Sequence, residues 1–228
     1  MREIVLDTET TGLDPENGDR IVEIGAVELF NHVPTGRTFH HYINPERPMA
    51  EEAFQIHGLG DAFLADKPRF AEIAAEFVAF MGDSRLVAHN AAFDFRFLNA
   101  ELARCGVQAI AWERVVDTLA LARQKFPGSP CSLDALCRRF AIDNSARTLH
   151  GALLDSEILA EVYLELVGGR QPGFTLALQN GGDGDGAARW RPRPRAKALP
   201  PRLTEEEAAA HEAFVADLGE NALWAKRA

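Results

Sequence analysis

Four carboxylates and one imidazole stand where they could act together: Asp7 and Glu9 in IVLDTETTG, Asp94 in HNAAFDFRFL, and His150 with Asp155 in RTLHGALLDSEIL. Hard carboxylate oxygens are the ligands of divalent cations. Two such cations roughly 3.5–4 Å apart can serve both the attacking and the departing oxygen of a phosphodiester. A histidine, with an ordinary pKa of ~6.5, can take the proton from the attacking water near neutral pH. The set matches what two-metal phosphodiester hydrolysis requires.

The surrounding residues predict how each group is held. Glu3-Ile4-Val5-Leu6 reads as a buried strand running into Asp7-Thr8-Glu9 before a turn at Thr11-Gly12. Alternation puts Asp7 and Glu9 on one face, where two like charges repel and a bound cation is the simplest compensation. Leu86–His89 reads as a second strand leading into a helix whose inward stripe includes Phe93, Phe97 and Leu98. Asn90 suits that helix's N-cap, with Asp94 a turn later on the same face. Taken alone, Asp94 is equally well read as an acid favoured by the helix dipole. His150 reads as the last residue of a loop, Gly151 as the point where the backbone turns, and Asp155 as an early residue of the following helix. Taken alone, His150 is equally a partly buried structural histidine.

The coarse architecture follows from periodicity. Strands are predicted near Ile4–Asp7, Ile21–Phe30 and Thr38–Ile43, separated by Asp14-Pro15 with Asn17-Gly18 and by Pro34-Thr35-Gly36. Antiparallel pairing is their simplest connection. Helices are predicted at about Phe70–Met81, Ala91–Cys105, Val116–Lys125, Leu133–Phe140 and Gly151–Val167, with short strand-like runs at Leu86–His89 and Ile110–Trp112. Together they predict an α/β fold, a mixed sheet flanked by helices.

No apolar run approaches the ~20 residues of a membrane span, and the N-terminus enters a strand without a signal-peptide pattern, so a cytoplasmic protein is expected. Cys105, Cys131 and Cys137 are odd in number and lie in or beside apolar helical patterns, which reads as core packing under reducing conditions. The charge is acidic: residues 1–167 hold 15 Lys/Arg against 26 Asp/Glu, a balance of −11. Such a surface binds long DNA weakly, since affinity comes largely from cations neutralising phosphates. An end-specific enzyme delivered by a partner tolerates this, because tethering raises effective concentration.

Asp7-x-Glu9, Asn90-x-x-x-Asp94 and His150-x-x-x-x-Asp155 match, in order and spacing, the three motifs of the 3′→5′ exonucleases named for four acidic residues and a histidine. More closely, the chain resembles the proofreading (epsilon) subunits of bacterial DNA polymerase III. The segments VLDTETTG, IVEIGAVE, FHHYINP, DKPRFAEIAAEF, HNAAFDFRF, SLDALCRRF and IDNSARTLHGALLDSEILAEVYL carry that resemblance across most of residues 3–167, and EEEAAAHEAF resumes it. The resemblance implies a ribonuclease H-like fold and two divalent cations, Mg²⁺ or Mn²⁺. It implies metal ligation by Asp7, Glu9 and Asp155, support from Asp94, and His150 as general base. Through AEEAFQIHG it also implies that Glu52 and His57 lie at the substrate's terminal nucleotide, so that they bind substrate together with Asp7, Glu9 and Asp155. A free exonuclease of RNA ends would use the same five residues, and a binding module that kept the fold is the reading of a different class.

Three segments follow: an exonuclease domain over residues 1–169, a linker over 170–203 and a partner-binding segment over 204–228. Gly168-Gly169 ends the first. Gln171, Phe174 and Leu176 resemble the short peptide by which replication proteins dock on the sliding clamp. Residues 189–202 hold six Lys/Arg, no acid and Trp190, which reads either as a solvated spacer or as a transient DNA contact. Thr204 should cap an amphipathic helix with the stripe Ala208, His211, Phe214, Val215 and Leu218, Leu223-Trp224 adding an apolar anchor beyond it. That helix suits a partner's groove or packs back on its own domain; the resemblance assigns the groove to the polymerase alpha subunit and allows a small third subunit on the exonuclease domain.

Overall fold

The computed structural model describes residues 1–145, 149–168 and 203–218. The chain divides into two compact units; among the described residues, the first carries five strands and seven α-helices and the second carries one α-helix.

Five strands form one mixed sheet: β1 (Arg2–Thr10), β2 (Ile21–Phe30), β3 (Val33–Tyr42), β4 (Arg85–Ala88) and β5 (Val115–Asp117), in the order β3-β2-β1-β4-β5. β1–β2 and β2–β3 pair antiparallel, as expected, and β4 and β5 add parallel strands beside β1. The parallel pairs require crossovers, and helices supply them.

The helices are α1 (Glu51–His57), α2 (Asp61–Leu64), α3 (Phe70–Met81), α4 (Ala91–Arg104), α5 (Thr118–Lys125), α6 (Leu133–Phe140), α7 (Ala152–Leu166) and α8 (Glu205–Asp217). α3 buries Phe70, Ile73, Ala74, Phe77, Phe80 and Met81, the i, i+3, i+4, i+7 stripe that its sequence prescribes. That stripe and Phe97 and Leu98 of α4 pack on Ile4 and Leu6 of β1. Fully burying each such large side chain contributes about 1.5–3 kcal/mol. On the opposite sheet face, Leu159, Ala160 and Tyr163 of α7 meet Val5, Val27 and Val87, and Ile158, Val162 and Leu166 of α7 pack on α5 and α6. Cys131 and Cys137 lie in this outer core, while Cys105 is half-buried; all three are free thiols.

Several local expectations are corrected. The β2–β3 hairpin turns at Asn31-His32, not at Pro34-Thr35-Gly36. Both turn residues have positive φ, 50° and 64°, the two-residue geometry that matches strand twist. Pro34 is tolerated inside β3 because that strand is a sheet edge. Ile110–Trp112 is not a strand. The chain makes a 3₁₀ turn at Trp112–Arg114 and enters β5 only at Val115, so the helix expected from Val116 begins at Thr118, where Asp117 accepts from the Leu119 amide at 2.9 Å. α1 and α2 were not foreseen.

α8 keeps its expected start: Thr204 and Glu207 form a reciprocal capping box. The expected stripe is weak, however, because its apolar residues, mostly alanine, run round the whole helix. Within its own unit it buries no residue, and Phe214 is 60% exposed. Gln171, Phe174, Leu176, residues 189–202 and Leu223-Trp224 lie outside the described residues.

One contact sets the register of α7. Gly25 of β2 lies opposite Asp7 of β1, and a Cβ there would sit 2.1 Å from the Leu153 amide nitrogen and 2.2 Å from the Ala152 carbonyl carbon. The missing side chain lets the start of α7 lie against the strand, and Ser156 Oγ donates to the Gly25 carbonyl at 2.8 Å. Gly25→Ala should therefore force α7 away. Overpacking of ~1–3 kcal/mol corresponds to a Tm loss on the order of 5 °C, with any activity that needs the start of α7 in place lowered about tenfold or more. Gly151→Ala, at extended backbone with open space around the new methyl, should melt with the parent. A Gly25→Ala protein with parental Tm and activity would remove this contact from the account.

Candidate active site

The cleft forms where β1 and β4 end and α1, α4 and α7 begin or stop. Ile4 and Leu6 face α3 and α4, so the odd-numbered Val5, Asp7 and Glu9 face α7 and the even-numbered Thr8 faces α4. Asp7 and Glu9 thus share a face, as expected, and both line a cavity of about 490 Å³. Thr8, which sequence reasoning passed over, donates its hydroxyl to Asp94 Oδ1 at 2.8 Å. The alternation that pairs Asp7 with Glu9 was the signal for it.

Asp94 sits in the first turn of α4 and is buried. Burial pushes its pKa up to about 7, against the downward pull of the Thr8 hydroxyl and nearby backbone amides. Asn90 precedes α4 but makes no side-chain cap; its backbone is left-handed (φ 63°), and its amide donates to Asp117 Oδ1 at 3.1 Å. His89 is tied down beside it, with Nδ1 2.9 Å from Thr118 Oγ1, and burial holds its pKa below the usual histidine value.

His150 lies in the loop before α7, its amide donating to the Ile56 carbonyl at 3.2 Å. Gly151 is extended (φ −153°), so no left-handed turn is needed there. Asp155 follows in the first turn of α7 and is buried, its Oδ2 3.3 Å from His150 Nδ1, while the His150 side chain is 48% exposed. The difference suits a fixed ligand beneath a movable base. Glu9, His150 and Asp155 each offer a ligand atom, all within 4.8 Å of one another. That donor set, with Asp7 on the same cavity wall, fits a hard divalent cation.

Glu52 and His57 of α1 line the same cavity as Asp7, Glu9, Asp94 and His150. Leu59's amide donates to His57 Nδ1 at 3.0 Å, and Nε2 is buried without a full hydrogen bond. Burial lowers the pKa of His57, the His150 imidazole adds to the effect, and the Thr10 backbone offsets it only in part. A second cavity of about 630 Å³ shares Asp7, His89, Asn90 and His150 and continues past Asp155 to α5 and α6. All seven site residues expected in the exonuclease domain therefore line one continuous cleft.

The raised pKa of Asp94 carries a sign for stability. The folded state holds this proton more tightly than the unfolded chain, whose aspartate pKa is ~3.9. The associated stability is complete below about pH 4 and is lost as pH rises through about 7. In chelator, Asp94→Asn, which imitates the neutral carboxyl, should gain Tm relative to the parent as pH rises from about 4 to about 8. A Tm difference that stays flat across this range would contradict the burial effect.

A sequence model of the family described as Exonuclease matches residues 4–163. DNA polymerase III subunit epsilon of Rickettsia felis is 49% identical, covering 96% of this chain and 97% of that protein. Its counterpart in Escherichia coli is 47% identical, covering 98% and 97%. Among solved structures, exonuclease X in complex with 5′-overhanging duplex DNA is 29% identical with a TM-score of 0.59, covering 73% of this chain and 91% of that one. The nuclease domain of 3′hExo, a DEDDh family member bound to rAMP, shares the fold at 18% identity, TM-score 0.63, over 73% and 92% of the two chains. No helix among the described residues is long and apolar enough to cross a membrane. With its sheet order, its acidic cleft and a match that spans both chains nearly end to end, the chain belongs to the exonuclease family and, within it, to the epsilon subunits of DNA polymerase III.

Proposed function

We propose that this chain removes mispaired nucleotides from DNA 3′ ends as the proofreading subunit of DNA polymerase III in the cytoplasm, releasing nucleoside 5′-monophosphates. The observation that carries the reading is the meeting of Asp7, Glu9, Asp94, His150 and Asp155 on one cleft. The names of its relatives supply the DNA substrate and the polymerase complex.

Asp7, Glu9 and Asp155 would hold two divalent cations, Mg²⁺ or Mn²⁺, which when bound supply Lewis-acid charge at the scissile phosphate and offset charge on the leaving oxygen. The protein's own groups do the rest. Asp155 orients the imidazole through Nδ1, and His150 takes the proton of the attacking water at Nε2. As the water oxygen bonds to phosphorus, the bond to the 3′ oxygen of the penultimate nucleotide breaks in line. Asp94, fixed by Thr8, supports the carboxylate set from the α4 side. Glu52 and His57 bind the terminal nucleotide in the smaller cavity. Selectivity comes from fraying, since a mismatched end costs less to unpair. Residues 1–169 carry the chemistry, 170–203 link it to the holoenzyme with clamp contacts at Gln171, Phe174 and Leu176, and 204–228 bind the alpha subunit. A small third subunit would sit on the exonuclease domain.

The test uses the purified full chain with Mg²⁺ or Mn²⁺ and 5′-labelled DNA primers, matched or 3′-mismatched, beside an RNA oligomer of the same sequence. Stepwise shortening of DNA, faster at the mismatch, is expected. His150→Ala should lose activity by at least about a hundredfold with its melting curve intact. Asp7→Ala should lose activity and also weaken metal binding by calorimetry. Parental rates in a clean His150→Ala preparation would sink the general-base role, and preference for RNA would move the substrate assignment.

A further inference from the structure

The two cavities diverge from a shared centre at Asp7, His89, Asn90 and His150. The smaller branch is walled by Leu13, Ala53, Ile56 and Phe93, apolar groups suited to the face of a nucleobase. The larger branch runs past Asp155 to Arg123, Ser129, Ser132 and Asp134, groups suited to sugar and phosphate. A strand end cut at the shared centre must occupy both. Its terminal nucleotide lies on one side of the scissile phosphate and the rest of the strand on the other.

Arg123 is the only Lys or Arg among the described residues that line either branch. It projects from α5, is exposed, and makes no ion pair with the described residues, unlike Arg20, Arg37 and Arg96. Its charge is felt at His89 on the shared centre, whose pKa is lowered chiefly by burial and, in the smallest part, by Arg123. The acid across the same branch, Asp134, accepts from Asn144 Nδ2 at 3.1 Å. In a domain whose balance is −11, this guanidinium, on the cleft wall and without an ion pair to any described residue, is a place for a phosphate to gain a charged hydrogen bond.

We propose that Arg123 binds the phosphodiester immediately 5′ to the scissile one, forming an upstream subsite that holds the penultimate nucleotide, whose 3′ oxygen is the leaving group. The proposal rests on the exonuclease reading above. Arg123 then governs how tightly a strand is held, while a substrate with no second phosphate escapes its influence.

The experiment compares the full chain with Arg123→Ala and Arg123→Lys, each checked by thermal melting. One substrate is a short single-stranded DNA, either native or with a neutral methylphosphonate at the phosphate next 5′ to the scissile one. The other is the p-nitrophenyl ester of thymidine 5′-monophosphate, which keeps the terminal nucleotide and scissile phosphate but has an aryl leaving group. Arg123→Ala should raise KM for the native strand about tenfold with little change in kcat, lower the salt slope of binding by about one, and leave ester hydrolysis at the parental rate. The methylphosphonate should cost the parent a similar factor and cost Arg123→Ala nothing further, with Arg123→Lys recovering part of the loss. Equal loss on strand and ester, an unchanged KM for the strand, or a methylphosphonate penalty that persists in Arg123→Ala would each overturn the subsite. A parent chain inactive on both substrates would instead overturn the exonuclease reading itself.

Discussion

The meeting of the carboxylates in this chain depends on how closely α7 can approach the sheet, and Gly25 sets that distance. A side chain at this position would collide with the backbone of Ala152 and Leu153. Without one, the Ser156 hydroxyl reaches the Gly25 carbonyl, and two turns further along the same helix face the Tyr163 hydroxyl donates to Glu3 Oε1 at 2.8 Å. Gly25 pairs with Asp7 and Glu3 pairs with Leu29, so the two anchors clamp α7 along the β1–β2 ladder. Asp155, next to Ser156 in sequence, is thereby brought to the end of β1 where Asp7 and Glu9 stand. The carboxylates of two elements far apart in sequence meet because a strand lacks one methyl group.

That meeting is electrostatically costly, and the fold offsets the cost only in part. The Thr8 hydroxyl and nearby backbone amides bond to Asp94, yet burial still raises its pKa to about 7. Carboxylates brought this close repel one another, and a divalent cation is what such a donor set takes up. Elsewhere in the domain, two buried acids are held by cationic partners: Glu101 receives two bonds from Arg20, at 2.6 and 2.9 Å, and Glu28 is engaged by Arg2, Arg37 and Thr35. The contrast separates acids that hold the fold together from acids that the fold holds apart.

Much of this was legible in the residues. The period of α3, the apolar run of β2 and the alternation around Asp7-Thr8-Glu9 follow from local rules that packing did not overturn. What was missed depended on tertiary contact. The hairpin turn fell on Asn31-His32 because strand twist demands two positive-φ residues, while the stronger turn letters Pro34-Thr35-Gly36 fit an edge strand. β5 is three residues long and owes its state to pairing with β4, which no periodicity records. Gly25 was visible as a lone glycine in an apolar strand, a sign of close backbone approach. Which helix approached could be known only from the fold. Gly151, beside the histidine, looked like the residue with a special backbone and has an ordinary one.

The cleft and the composition point the same way about how such an enzyme should work. With Arg123 as the one Lys or Arg among the described residues on the cleft walls, and acids at its centre, a weak grip on a strand is expected, and weak grip is what selection by fraying needs. An enzyme that bound any 3′ end tightly would use its binding energy to unpair matched termini as readily as mismatched ones. Weak intrinsic grip is useful only if the enzyme stays near the primer, which on the proposed reading is the task of the segment beyond the domain. α8 suits that reading: its capping box fixes where it starts, and among the described residues of its own unit it buries no side chain. A helix of 13 residues is marginal in isolation, so its stability must come from whatever surface it meets. On the proposed reading, fidelity arises from two modest affinities, one for a frayed end and one for a partner, in place of a single strong one.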